Sequence, residues 1–408
     1  MGSRKNMIWI IVGICILLVV GLVVQQTKPS NVQTSTSPKS IATTFKGDPQ
    51  TTRAFTWYTE SVEEQAMLQV AEGTKVDSWD RQGIVTFKAK SAQIDTGGGK
   101  QQYAHQAEAT GLKPGTSYTY RVGSEQSGAW SDPAVIVTEP ASPETFTFVN
   151  VTDSQGESEA DFKAWWHTLD QAFGKFPEAR FIVHNGDLTE DPDQEKEWDS
   201  FFGQAAKWLV KVPLMPVTGN HDEIQGNAKR FTSHFAVPAN GAEGAISGTN
   251  YSFNYGYAHI VVLDTESNLK VQTSWLRADL QSNRQPWTIV AMHRPAYGGN
   301  RYEKIEDWIK VFDEFGVDLV LQGHNHEYSR SFPLRDGNIV SEGEGTVYVI
   351  TNTAGPKFNS LKKDKYYHAV HFQNNKQMFA GVTVSERTLS LQAYDVDGNL
   401  LDKFTLQR

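Results

Sequence analysis

Pro213-Leu-Met-Pro-Val-Thr-Gly-Asn-His-Asp222 decides how this chain is read. Apolar residues run into a Gly, and three polar side chains follow without a gap. Such a run is a short buried strand that stops in a turn. The phrase recurs on both sides. Thr145-Phe-Thr-Phe-Val-Asn-Val-Thr-Asp153 and Arg180-Phe-Ile-Val-His-Asn-Gly-Asp187 each end on Asp. Val290-Ala-Met-His293 ends on His, and Asp318-Leu-Val-Leu-Gln leads into Gly323-His-Asn-His326. Helical patterns lie between these runs. One starts at Ser158 with a capping box and carries Trp165, Trp166, Leu169 and Phe173 at helical spacing. Others cover Asp193 to Val210, a stretch from Thr273, and Tyr302 to Phe315. Alternating strands and helices predict a layered α/β domain over 145–408, and open sheets of that kind bind ligands at the carboxyl ends of their strands. The tail after Gly345 reads as all-β, with a hairpin turn at Asp395-Val-Asp-Gly-Asn399.

Upstream, residues 42–140 alternate in short segments such as Arg53-Ala-Phe-Thr-Trp-Tyr58 and Thr116-Ser-Tyr-Thr-Tyr-Arg-Val122. About seven strands are expected there, packed as a sandwich. Leu112-Lys-Pro-Gly-Thr-Ser-Tyr118 resembles the tyrosine corner of fibronectin type III domains, which implies that the Tyr118 hydroxyl returns to nearby backbone. His105 reads as a surface strand residue. Residues 25–41 are Gln, Thr, Ser, Pro and Lys with little to bury, a flexible stalk. Met7 to Val24, within segment 1–24, is an apolar run that at about 1.5 Å per residue nearly spans a hydrocarbon core of about 30 Å. Arg4 and Lys5 precede it, so the expectation is a single-pass N-terminal transmembrane helix with the rest of the chain outside the cell. A cleaved signal peptide is the alternative, although Val23-Val24-Gln25-Gln26 offers no small-residue cleavage site.

Composition excludes several classes. The 408 residues are 39% hydrophobic and 21% charged, which rules out a mostly disordered chain or a multi-span membrane protein. A net charge of −9 argues against a nucleic-acid-binding surface. An anionic substrate then needs a local positive charge such as a metal. Cys15 is the single cysteine, so intrachain disulfides and Cys-based zinc sites are excluded.

Five successive strand ends carry Asp, Asn or His, which packing does not explain. These residue types suit two cations sharing a bridging carboxylate. Here the chain resembles the metallophosphoesterase family, closest to its purple acid phosphatase branch, which also places a fibronectin-like module in front. The family's ordered blocks are Asp-x-Gly, Gly-Asp-x-x-Tyr, Gly-Asn-His-Asp/Glu, Val-x-x-His and Gly-His-x-His. The last three match outright, and Gly323-His-Asn-His-Glu-Tyr-Ser-Arg330 extends the final one. The resemblance implies a two-layer β core flanked by helices. It implies a first metal held by Asp153, Asp187 and His326, and a second held by Asp187, Asn220, His293 and His324. Gln155 stands where the branch has Gly, and Glu190 where it has the iron-binding Tyr. Either is a candidate to complete the first site, with two divalent or mixed-valence ions (Fe, Mn or Zn) as cofactors.

The implied activity is metal-dependent phosphoric ester hydrolysis by a hydroxide bridging the two ions, with phosphomonoesters favoured. A phosphodiesterase or nucleotidase on the same site is an alternative. So is a surface adhesion or sensor module whose site has decayed. His221 is the expected proton donor and phosphate contact, and Asp222 is expected to orient a neighbour. Arg294 and Asn220 are further candidates for touching substrate. His368 and His371 flank a Tyr-rich loop, for which overhanging the site is the minority reading beside a purely structural one. The expected partners are a phosphate ester and, through residues 7–24, a lipid bilayer.

Overall fold

The computed structural model describes residues 37–408 apart from 63–64, 98–99 and 143. The anchor and residues 25–36 of the stalk expected from the sequence lie outside the described residues, and the end of that stalk is corrected: Lys39 to Ile41 begin the strand Lys39–Thr44, which pairs with Arg53–Thr59. Among the described residues no helix is long and apolar enough to cross a membrane.

Two mixed sheets carry the second half of the chain. One has six strands in the order Leu214–Pro216, Ile182–His184, Phe146–Val151, Met378–Val384, Thr388–Asp395, Leu400–Gln407. The other has seven, in the order Tyr251–Tyr255, Ala258–Val262, Trp287–Ala291, Leu319–Gln322, Val347–Thr351, Tyr328–Ser331, His368–Phe372. Leu214–Pro216, Ile182–His184 and Phe146–Val151 run parallel in the first sheet, where Met378–Val384 joins Phe146–Val151 antiparallel, and Ala258–Val262, Trp287–Ala291, Leu319–Gln322 and Val347–Thr351 run parallel in the second; these parallel strands are buried, as expected of strands covered on both faces. One core cluster joins side chains of both sheets, among them Val149, Val183, Ile289, Leu321 and Val349. Asn150 adds a polar tie, because its Oδ1 accepts from Asn185 Nδ2 at 3.4 Å and from Thr351 Oγ1 at 3.0 Å. This tie aligns the ends of strands from different sheets, which positions the site.

Helices cover the outer faces. Helix Glu159–Lys175 starts where the capping box predicts: Ser158 Oγ accepts from the Asp161 amide, and the Asp161 carboxylate accepts from the Ser158 amide. Its buried stripe of Phe162, Trp165, Leu169 and Phe173 faces the six-stranded sheet and helix Glu195–Leu209. Trp165 stacks on Phe201 at 5.3 Å, so these aromatics are core, and each adds about 1.5–3 kcal/mol of burial.

Residues 39–137 form two four-stranded antiparallel sheets, eight strands among the described residues. The Tyr118 hydroxyl accepts from the Lys113 amide at 2.8 Å, the return contact expected of a tyrosine corner. His105 corrects the reading of a surface residue. It is fully buried, stacks on Trp57 and touches Thr59 Oγ1 and Ser91 Oγ, because its partners come from neighbouring strands that a local pattern does not show. This domain is fastened to the next. Phe45 sits among Phe181, Phe253 and Tyr255, Tyr58 stacks on His234 at 4.3 Å, and the Tyr120 hydroxyl donates to the Val210 carbonyl.

Candidate metal centre

Asp153, Asp187, Asn220, His293, His324 and His326 each sit two to four residues past a strand, where the chain must turn sharply. Asp153, Asp187, His324 and His326 all have positive φ, between 49° and 72°. A non-glycine residue pays roughly 1 kcal/mol or more for that conformation, and such strain gathers at functional sites. Two glycines make the approach possible. A Cβ on Gly219 would stand 2.2 Å from Asp187 Oδ1, and one on Gly323 would stand 2.2 Å from Thr152 Oγ1.

The turns bring the side chains together in two groups. Asp153, Asp187 and His326 offer ligand atoms within 4.8 Å of one another, and so do Asp187, His293 and His324. Asp187 belongs to both. His326 Nε2 lies 3.1 Å from Asp153 Oδ1, and His293 Nε2 lies 3.1 Å from Asp187 Oδ2 and 3.2 Å from Asn220 Oδ1.

The other ring nitrogens explain why a cation fits. His293 Nδ1 faces the Asn185 carbonyl at 2.8 Å, and His326 Nδ1 faces the Lys357 carbonyl at 2.9 Å. Each Nδ1 therefore carries hydrogen, and in a neutral ring Nε2 presents a lone pair toward oxygens that also carry lone pairs. Only a positive charge settles such a contact. Burial opposes protonation of His293, but Asp187 outweighs it and raises its pKa to about 10, so a proton occupies the gap when a metal does not. Burial, then His293 and Arg294, push His324 down to about 4, which keeps it in the neutral form that ligates.

Gln155 joins the first group. Its amide is satisfied when Nε2 donates to the main-chain carbonyls of Asp153 and Asp187, both at 3.3 Å. That orientation carries Oε1 to a position 3.4 Å from both Asp187 Oδ2 and His326 Nε2. A fourth oxygen or nitrogen donor then points into the same gap.

Glu190 does not join it, a correction to its candidacy as a ligand. Its carboxylate pairs with Lys357 Nζ and lies 3.8 Å from His221 Nδ1. A nearby ammonium satisfies it in place of a metal. Asp222, expected to orient a neighbour, does so. It is completely buried and accepts from the amides of Gly219, Asp187 and Leu188, so it braces the two ligand-bearing turns and does not face the open side. Arg294 is clamped by Glu266 through Nε and Nη2, with Nη1 3.4 Å from His324 Nε2. Arg330 and Tyr328 both bind Asp402, so the end of the last block anchors the C-terminal hairpin. His221 is partly exposed at the rim. Its amide donates to Asp187 Oδ1 at 2.8 Å and its Nδ1 faces the Glu190 carbonyl at 2.7 Å, which leaves Nε2 to exchange a proton.

Lys357, Glu266 and Asn185 escaped the sequence reading. Each acts by holding a neighbour across a long separation, and none sits in a motif.

Residues 146–328 match the calcineurin-like phosphoesterase family and residues 38–138 match the purple acid phosphatase N-terminal domain. The chain thus carries a calcineurin-like phosphoesterase domain behind a purple acid phosphatase N-terminal domain, and it is similar to acid and purple acid phosphatases. It is 27% identical to human acid phosphatase type 7 over 394 residues, covering 84% of this chain and 82% of that protein. It is 30% identical to purple acid phosphatase 15 of Arabidopsis thaliana over 62% of this chain and 53% of that one. An uncharacterized Mycobacterium tuberculosis protein is 28% identical, but the match spans only 43% of this chain and 42% of the relative. The structure of the yellow lupin purple acid phosphatase PPD1 has a similar fold, with a TM-score of 0.78 at 20% identity over 91% of this chain and 75% of that one.

The departures from the branch concern one metal. With Glu190 in place of the expected Tyr, and engaged by Lys357, no tyrosinate stands at that position. The iron-loaded protein is expected to be colourless in the visible range. A tyrosinate-to-iron charge-transfer band in its spectrum would contradict the alignment of Glu190 with the family tyrosine.

Proposed function

We propose that this chain is a metal-dependent phosphoric ester hydrolase that prefers phosphomonoesters. The observation that carries the reading is the Asp187 carboxylate shared by two ligand groups. Bound divalent cations supply positive charge to the phosphate oxygens and acidify a water molecule. The chain's own residues do the rest. Asp153, Asp187, Asn220, Gln155, His293, His324 and His326 hold and space the ions. His221 Nε2, at the open rim, orients the phosphate and donates a proton to the leaving oxygen. Glu190, held by Lys357, keeps His221 turned toward that task through its main-chain carbonyl. Arg294, clamped by Glu266, lends charge beside His324 and is not free to swing onto substrate.

The test loads the full chain, in mild detergent, with manganese, iron or zinc and compares p-nitrophenyl phosphate with its bis ester. The monoester is expected to be favoured by about tenfold or more in kcat/KM. Preference for the bis ester overturns the monoesterase assignment. Absence of turnover with every metal from acid to alkaline pH overturns the enzyme reading itself.

We also propose that the hydrolase faces outward from a membrane. The support is the apolar run Met7 to Val24 behind Arg4 and Lys5, outside the described residues. Accessibility of the enzyme to protease added to intact cells tests this.

A further inference from the structure

A second gathering of imidazole and carboxylate lies away from the strand-end centre. His368 and His371, expected to flank a Tyr-rich loop, lie on the edge strand His368–Phe372 that follows it. In a regular strand, residues three apart face opposite ways. Here the pairing slips: Arg330 is opposite Val370, yet Ser331 is opposite His368, so Ala369 is an extra residue. The bulge turns both rings to one side. Their centroids are 4.0 Å apart.

Asp364 closes the group. Its Oδ1 is 2.7 Å from His368 Nδ1 and 3.4 Å from His371 Nδ1, and the three ligand atoms fall within 4.8 Å of one another. The two histidine side chains are 2% and 4% exposed, whereas Asp364 is 79% exposed, which gives an open side for entry. A separate observation points to a ligand. The far nitrogen of His371, Nε2, stands 3.4 Å from Oε1 of Glu327, a fully buried carboxylate whose Oε1 has no hydrogen-bond partner. A carboxylate behind an imidazole that presents its other nitrogen to a shared point is the arrangement that orients metal-bound histidine.

We propose that Asp364, His368 and His371 bind a further divalent cation of zinc type, with water completing a tetrahedron and Glu327 orienting His371. Two imidazoles and a carboxylate suit zinc better than magnesium or calcium. The site fastens a segment that reaches the strand-end centre. Residues 357–359 are tied to it through the Lys357 carbonyl at His326 Nδ1 and the Asn359 amide at the His326 carbonyl. The Lys362 amide is tied to Glu327 Oε2 at 2.8 Å. The cation adds a third fastening at Asp364. It steadies Lys357 over Glu190 without taking part in the chemistry.

The experiment strips the full chain with a chelator, reloads it with zinc, removes excess and counts metal by mass spectrometry. Wild type is expected to hold about three zinc ions, and Asp364→Ala about two. The exposed Asp364 side chain can be removed without disturbing the core, and His368→Ala provides a second variant. Zinc should also slow tryptic cleavage after Lys362, Lys363 and Lys365 in wild type and not in Asp364→Ala. Equal zinc in wild type and both variants overturns the proposal. Failure of the strand-end reading looks different: wild type would then hold about one zinc, and Asp364→Ala none. Asp187→Asn separates the sites further, since it should empty the strand-end centre and keep the zinc at Asp364.

Discussion

Asp187→Asn should lower kcat/KM about 10³-fold or more, which corresponds to about 4 kcal/mol of transition-state stabilisation. Asp187 is the one side chain common to both ligand groups. Asparagine keeps the shape and keeps an oxygen to accept from the His221 amide, which now bonds Asp187 Oδ1. What changes is the other atom. An amide nitrogen beside His293 Nε2 donates into the place where a positive charge belongs, so a hydrogen bond replaces the cation. The variant should therefore fold, with an unaltered near-ultraviolet circular dichroism spectrum, and retain little metal at the strand ends. Two metals bound there with a rate within tenfold of wild type would show that Asp187 does not bridge.

His221→Ala separates catalysis from metal binding. Its ring belongs to neither ligand group, so metal content should stay at the wild-type level. The rate on an alkyl phosphate should fall by about 10²–10³ in kcat, the usual worth of a positioned proton donor. On p-nitrophenyl phosphate the fall should be smaller, because nitrophenolate leaves without needing a proton. That dependence on leaving group is the signature a merely structural histidine would lack. Equal losses on the two substrates would assign His221 to phosphate binding alone, and an unchanged rate would remove it from the mechanism.

Glu190 and Gln155 show how far the linear pattern reaches. Both stand at family positions that normally carry other residues, so either looked able to complete the first metal. Only the fold separates them. Lys357, 167 positions downstream, takes the Glu190 carboxylate, while the carbonyls of Asp153 and Asp187 hold the Gln155 amide with its oxygen turned inward. Asp222 is a similar case. Its place beside His221 suggests that it orients a neighbour, and the fold decides which: it accepts from three main-chain amides of the ligand-bearing turns. His105 and His371 were misplaced because each is defined by a neighbouring strand: His105 by Trp57 and Ser91, and His371 by a bulge against residues 328–331.

The sequence by itself determined the alternation of the strands and helices that carry the site, the helix start at Ser158, and the placing of metal-type side chains directly after buried strands, but not helix Lys229–His234 or the strands Tyr251–Tyr255 and His368–Phe372. These are short-range matters, governed by periodicity, capping and the need to turn at a strand end, so local residues suffice. Tertiary structure alone decided which carboxylates face the ions and which are spent on amides or lysines, and it brought Asp364, His368 and His371 into one cluster. Those outcomes depend on contacts within about 4 Å between residues far apart in the chain, where the energy of a buried charge is set by whichever partner the fold delivers.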